Sequence, residues 1–218
     1  MSQADTIQPM ATTELGLRER KKQRTRQAIS DTAWRLFLER GFDAVPVAEV
    51  AREADVSEAT VFNYFPTKED LVFGRMEAFE QKLLEAIRDR PEGESIVQAF
   101  GRFVLRPRGF LASDDPAATE GMRATARLLT GSPALVARQR EILDGYTNTL
   151  AAFLAEEQGM EPDDPEPWVM ANALIGLHRA LIAYTHRQAL AGVPNRRIAR
   201  NVVARGRRAL AILEQGLG

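Results

Sequence analysis

Cysteine is absent from the 218 residues. That excludes disulfides, thiolate metal sites and a cysteine nucleophile, and it fits a reducing cytoplasm, where the protein is expected to reside. Histidine is nearly absent: His178 and His186 are the only two, eight positions apart, without the His-Glu-x-x-His spacing of a metal site. The chain has no glycine-rich phosphate loop, and no run approaches the ~18 apolar residues needed to cross a bilayer. Its start, MSQADTIQPMATTELG, lacks the charged-then-apolar pattern of a signal peptide. No internal repeat or low-complexity tract is present. The paired acids Asp114-Asp115, Glu156-Glu157 and Asp163-Asp164 fall at expected helix ends, where capping accounts for them. Nothing assembles a reaction, so an enzyme is not expected, nor a cofactor, a metal or a membrane partner.

The charge that is present is unevenly distributed beneath a net charge of −1. From Arg18 to Arg26 six basic residues face one acid, a local +5, whereas Phe42 to Leu71 carries −5. Phosphates are the natural partners of such a basic segment. It leads into a stripe of Ile29, Ala33, Leu36 and Phe37 that runs to Gly41, so 18–40 reads as one amphipathic helix with a glycine stop.

Val45 to Leu71, VPVAEVAREADVSEATVFNYFPTKEDL, has the pattern of a helix-turn-helix succeeded at once by another helix. Pro46 can open a helix whose buried face is Val47, Val50, Ala51 and Ala54. Asp55 tolerates the left-handed backbone of the turn and Ser57 is a good N-cap for the second helix. In that helix Val61 and Phe65 should face inward, leaving Glu58, Ala59, Thr60, Phe62, Asn63 and Tyr64 over a surface able to lie in a major groove. Pro66 ends it, Thr67 caps the next helix, and Lys68 stands beside N–H groups that could meet a phosphate. Trp34, Leu38 and Phe42 are expected to pack.

The stretch TRQAISDTAWRLFLERGFDAVPVAEVAREADVSEATVFNYFPTKEDLV resembles the N-terminal domain of the TetR family of bacterial transcriptional regulators. Arg26, the Gly41-Phe42 pair, the Val56-Ser57 turn and the aromatic exit into Lys68 carry the resemblance. It implies an all-α homodimer whose C-terminal domain binds a small molecule and thereby releases a palindromic operator. The arm residues Arg20, Lys21, Lys22, Arg24 and Arg26 would attract the backbone. Ser57, Thr60, Phe62, Tyr64 and Lys68 match family positions that touch it, and Glu58, Ala59 and Asn63 match positions that reach base edges. Asn63 could pair with adenine, Glu58 accept from a cytosine amino group, and Ala59 or Phe62 meet a thymine methyl. Pro46 stands where the family often has threonine, Phe62 where tyrosine is usual, and Tyr64 where histidine is frequent. A DNA-binding activator or coating factor without a ligand is the alternative.

Three regions are expected: a disordered lead at 1–17, the helix-turn-helix domain at 18–67, and a helical ligand-binding and dimerisation domain at 68–218, about nine helices in all. Helix four is expected to run from Lys68 to Arg90 as a lever. Helices then span 94–112 with an interruption at Arg106-Pro107, from Pro116, from Ser132-Pro133 to Gln158, from Pro165 to 191, and from Asn195 to 216.

Candidate ligand residues are Phe79, Phe100, Phe103, Met122, Arg123, Arg127, Leu128, Tyr146, Phe153, Trp168, Met170, His178 and Tyr184, lining an apolar cavity. The expected dimer seam uses Val169, Ala173, Leu177, Leu181, Tyr184, Ile198, Val202, Ala209 and Ile212. Residues 119–159 also resemble an acyl-CoA-responsive TetR subgroup that includes mycofactocin-system regulators. By that resemblance Arg102, Arg106, Arg123 and Arg127 would hold phosphates or a carboxylate.

Overall fold

The computed structural model describes residues 11–74, 78–161 and 163–217. Among them are ten α-helices and no strand. The helices are α1 (Ala11–Arg40), α2 (Val47–Glu53), α3 (Glu58–Tyr64), α4 (Asp70–Phe73), α5 (Ala78–Arg88), α6 (Ile96–Val104), α7 (Pro116–Gly131), α8 (Pro133–Gln158), α9 (Pro165–Leu190) and α10 (Asn195–Leu217), with the 3-10 turn at Gly109–Ala112. The chain divides into two compact units, Met1–Arg75 and Met76–Gly218.

The division falls after α4 rather than after Thr67. Leu71, Val72 and Phe73 are buried with the α1 stripe, so α4 completes the first core. That core is Ile29, Ala33, Leu36 and Phe37 of α1, Val50 and Ala51 of α2, Val61 and Phe65 around α3, and Phe42 and Val45 between them. Gly41, at φ 84°, ends α1 as the sequence requires, its N–H bonded to the Phe37 carbonyl.

One expectation changes. Helix α1 begins at Ala11, not Arg18, so 11–17 is helix rather than lead. This stretch contains good helix formers, and Arg20 Nε reaches back 3.0 Å to the Gly16 carbonyl. Of the expected lever from Lys68 to Arg90 the described residues show α4 and α5; its continuity falls at 75–77, outside the described residues, as do positions 1–10 of the expected lead.

In the second unit the expected helix 94–112 is α6 and the 3-10 turn, parted around Arg106-Pro107, and local signals bound the helices. Ser95 and Gln98 form a reciprocal capping box for α6, Asp115 caps α7 ahead of Pro116, and Gly159 closes α8 at φ 65°. The core joins Leu83 and Ile87 of α5, Phe100 of α6, Leu143, Leu150 and Leu154 of α8, Leu174 and Ile175 of α9, and Ile198 of α10. Helices α6 and α10 interlock through glycine. A Cβ at Gly101 would collide with Leu210, and one at Gly206 with Leu105.

Candidate nucleic-acid interface and effector site

The α2–turn–α3 unit is built by local chemistry. Asp55 takes φ 53° in the turn, which a short polar side chain tolerates better than a branched one. Ser57 then caps α3: its Oγ accepts from the Thr60 N–H at 3.1 Å and lies 2.8 Å from the Thr60 hydroxyl. Val61 and Phe65 are each 1 % exposed, fixing α3 by its inner face. The opposite face presents Glu58, Ala59, Phe62 and Asn63 to solvent, with Thr60 and Tyr64 half-buried at its flanks. Phe62 is 45 % exposed, a large apolar ring left uncovered in the middle of an otherwise polar surface. Arg40 bonds Glu49 at 2.6 Å, and this hydrogen bond holds the Glu49 carboxyl below its usual range.

Two of the expected backbone-contacting cations are used internally. Lys68 Nζ donates to the Phe42 carbonyl at 2.6 Å and lies 4.3 Å from the Phe42 ring and 5.7 Å from that of Phe37. Burial lowers its pKa, against the opposing charges of Asp43 and Glu69. The side chain expected at a phosphate is therefore turned inward, because a carbonyl at the end of α1 and two ring faces offer it a ready-made site. Arg26 is half-buried with its guanidinium 4.9 Å from the Phe65 ring. Gly74 makes room for both: a Cβ there would sit 2.9 Å from the Phe65 ring and 3.2 Å from Arg26 Nη2. Arg20, Lys21, Lys22 and Arg24 remain on the exposed surface of α1.

In the second unit four of the candidate ligand residues converge. Phe79 of α5 stacks on His178 of α9, centroids 4.9 Å apart and planes 12° apart, and on Tyr146 of α8 at 5.7 Å and 22°. Phe103 of α6 meets Phe79 edge-on at 5.3 Å. Arg108, absent from the residues expected there, lies over Phe103 at 4.1 Å. Burial pushes the His178 imidazole down to about 4, and the nearby charge of Arg108 adds to this, so His178 is neutral near pH 7. Burial also lowers the pKa of His186.

Other candidates lie elsewhere. Phe100, at 0 % exposure, and Met122 and Leu128 are core. Trp168 is on the exposed side of α9, Arg127 is exposed, and Arg123 is an exposed neighbour of Glu120 at 3.9 Å. Met170 is half-buried against the core, as is Phe153, which carries Arg88 over its ring at 5.3 Å. Arg102 is engaged by Glu94 through two 2.9 Å bonds and by the Ala86 carbonyl, a clamp between α5 and α6. A separate groove of about 470 Å³ runs between the 3-10 turn and α10, lined among others by Leu111, Val203, Arg196, Arg200 and Arg207.

The expected dimer seam is redistributed by burial. Leu181, Ile198 and Val202 belong to the chain's own core and are removed from it. Ala173, Leu177 and Ala209 are half-buried, and Tyr184 carries Arg205 over its ring at 5.1 Å. Val169 and Ile212 are exposed, the latter at 70 %. Along α9 the exposed positions Val169, Asn172, Gly176, Ala180, Ala183, Arg187 and Leu190 recur at three- and four-residue steps, a face with small residues at its centre.

Residues 29–74 match the family described as "Bacterial regulatory proteins, tetR family", and residues 108–216 match the "MftR C-terminal domain". The chain belongs to the TetR family of DNA-binding transcriptional regulators and carries an MftR-type C-terminal domain. It is 29 % identical over 151 residues to the HTH-type transcriptional regulator TcmR of Streptomyces glaucescens, covering 68 % of this chain and 67 % of that one. It is also 29 % identical over 170 residues to the regulator MftR of Mycobacterium tuberculosis, named for mycofactocin biosynthesis, covering 77 % and 81 %. The fold is shared with NalD of Pseudomonas aeruginosa, described as the secondary repressor of the MexAB-OprM multidrug efflux pump. The TM-score is 0.52 at 16 % identity, over 87 % of this chain and 97 % of NalD. No helix among the described residues is long and apolar enough to cross a membrane.

Proposed function

We propose that the protein is a repressor that binds a palindromic operator as a homodimer in the cytoplasm and is released by a lipophilic small molecule held in the second unit. The observation that carries this reading is the outward face of α3. Glu58, Ala59, Phe62 and Asn63 are presented together on a helix anchored by Val61 and Phe65, beside an α1 rich in exposed cations. Asn63 and Glu58 supply hydrogen bonds to base edges and Phe62 an apolar contact, while Ser57, Thr60 and Tyr64 fix register on the phosphates. The exposed α9 face, with Ile212 of α10, is the proposed dimer surface: its glycine and alanines let two helices approach closely, and a two-fold axis would set two α3 helices on two half-sites.

Gating requires the effector to favour a state that cannot engage both half-sites; ~100-fold release corresponds to about 2.7 kcal/mol of coupling. The aromatic cluster is the proposed effector site, since it joins α5, α6, α8 and α9 and α5 begins the second unit.

The deciding experiment is a titration against DNA from upstream of the protein's own and adjacent genes, at physiological salt, with unrelated DNA in competition. Saturable binding to a palindromic segment supports the reading. Affinity equal to that for competitor DNA, falling steeply with salt, would favour an ungated coating factor instead.

A further inference from the structure

We infer that the Phe79–Phe103–Tyr146–His178 cluster, with Arg108 at its edge, takes a planar aromatic anion, a carboxylate or phenolate. This rests on the effector-gated reading above and narrows its ligand class. Three observations converge. The first is geometric: Phe79 holds near-parallel stacks with both His178 and Tyr146, and an edge contact with Phe103. Of the four rings it is the one that touches the other three. A flat ligand ring exchanged for that of Phe79 retains both stacks and the edge contact, whereas a saturated chain retains none of their ring geometry.

The second concerns Arg108. Its guanidinium rests on the Phe103 face at 4.1 Å, and no carboxylate pairs with it among the described residues. Most other arginines with a described partner in this unit, such as Arg90 with Glu157, Arg102 with Glu94 and Arg179 with Asp144, face an acid. Arg108 is exposed, so its fork is open to a ligand, and partial desolvation and the like charge of Arg106 lower its pKa. A planar carboxylate suits a guanidinium fork, and the fork stays stacked on its ring while it binds.

The third is His178. Its imidazole is half-buried in the cluster and makes no hydrogen bond to a described residue. A neutral imidazole stacks on the face of a ligand ring without placing a second cation beside Arg108. Of the arginines that the resemblance would give to an acyl-CoA, Arg102 is clamped by Glu94 and Arg123 stands beside Glu120, and the three arginines gathered along α10 line the separate groove rather than this cluster.

The test uses the full chain, calorimetric titration and three probes: 2-naphthoate, its uncharged amide 2-naphthamide, and decanoate as an aliphatic anion. Wild type should bind 2-naphthoate at least about tenfold more tightly than either comparator. R108Q, with its fold verified by thermal melting, should lose that preference over the amide. Decanoate binding as tightly as 2-naphthoate, an R108Q affinity for 2-naphthoate equal to wild type, or no binding of 2-naphthoate would each overturn the inference. Operator affinity is read separately with each probe and with palmitoyl-CoA. Tight, Arg108-dependent 2-naphthoate binding that leaves the operator engaged supports the ligand class and removes the gating. Release by palmitoyl-CoA without 2-naphthoate binding removes the ligand class and keeps the gating.

Discussion

The two units each lay a cation on aromatic rings and use it differently. In the first, Lys68 sits over Phe42 and Phe37 and also donates to the Phe42 carbonyl, so its hydrogen-bonding is directed into the fold. In the second, Arg108 sits over Phe103 with no acid beside it among the described residues. In both, desolvation lowers the pKa. The difference lies in the acceptor: a cation given a backbone carbonyl becomes a staple, and a cation given only a ring face keeps its fork for something else.

The sharpest way to break that comparison is Lys68→Met. Loss of a charge-assisted bond and a ring contact should destabilise the first unit by about 3 kcal/mol. Urea unfolding monitored by circular dichroism would read this, and Arg108→Gln should move the same curve by less than about 0.5 kcal/mol. Equal losses from the two substitutions would erase the distinction, while weakened DNA binding at unchanged stability would return Lys68 to the phosphate role.

Acidification probes the second unit next. The folded pKa of His178 is depressed to about 4 from its ordinary value of 6.5. Between these values the unfolded chain binds the extra proton, so stability is present above about pH 6.5 and is lost as pH falls. From pH 7 to 5 the loss should be about 2 kcal/mol, and His178→Phe, which keeps a stacking ring, should flatten most of it in pH-dependent melts. His186 shifts in the same direction and supplies the residual slope. An unchanged slope in the His178→Phe variant would remove His178 as the source.

Smaller effects are expected at α3 and its support. Asn63→Ala should cost about 1–2 kcal/mol of operator affinity and relax one base position, with the melting curve unmoved because the side chain is exposed. Affinity equal to wild type would mean that this face is not the reading surface. Gly74→Ala should cost about 1 kcal/mol of stability, since the new methyl meets the Phe65 ring and Arg26. A neutral result would show that the ring yields freely.

Much of the first unit was legible because its signals are local. Gly41, Asp55, Ser57 and Pro66 each act on backbone within a few positions, and Val61 and Phe65 face inward because four residues make about one turn. The fate of Lys68 was not legible, because its acceptor is 26 positions away in sequence. In the second unit the helix boundaries from Asp115 onward came from proline, glycine and capping acids. Membership of the aromatic cluster was partly legible: Phe79, Phe103, Tyr146 and His178 were among the candidates, but so were Phe100 and Trp168, and no helical period tells a core ring from an exposed one on a two-sided helix. Arg108 carried no signal beyond its place after the Arg106-Pro107 break.

The sequence by itself determined the family, the all-helical fold and the face of α3 turned outward, because capping, backbone restriction and hydrophobic period are properties of neighbouring residues. Only the tertiary structure decided which cations are consumed and which remain available, and which apolar residues of α9 and α10 are core rather than surface. Those outcomes depend on groups that meet across helices, where burial and the presence or absence of one acceptor set the role of a side chain.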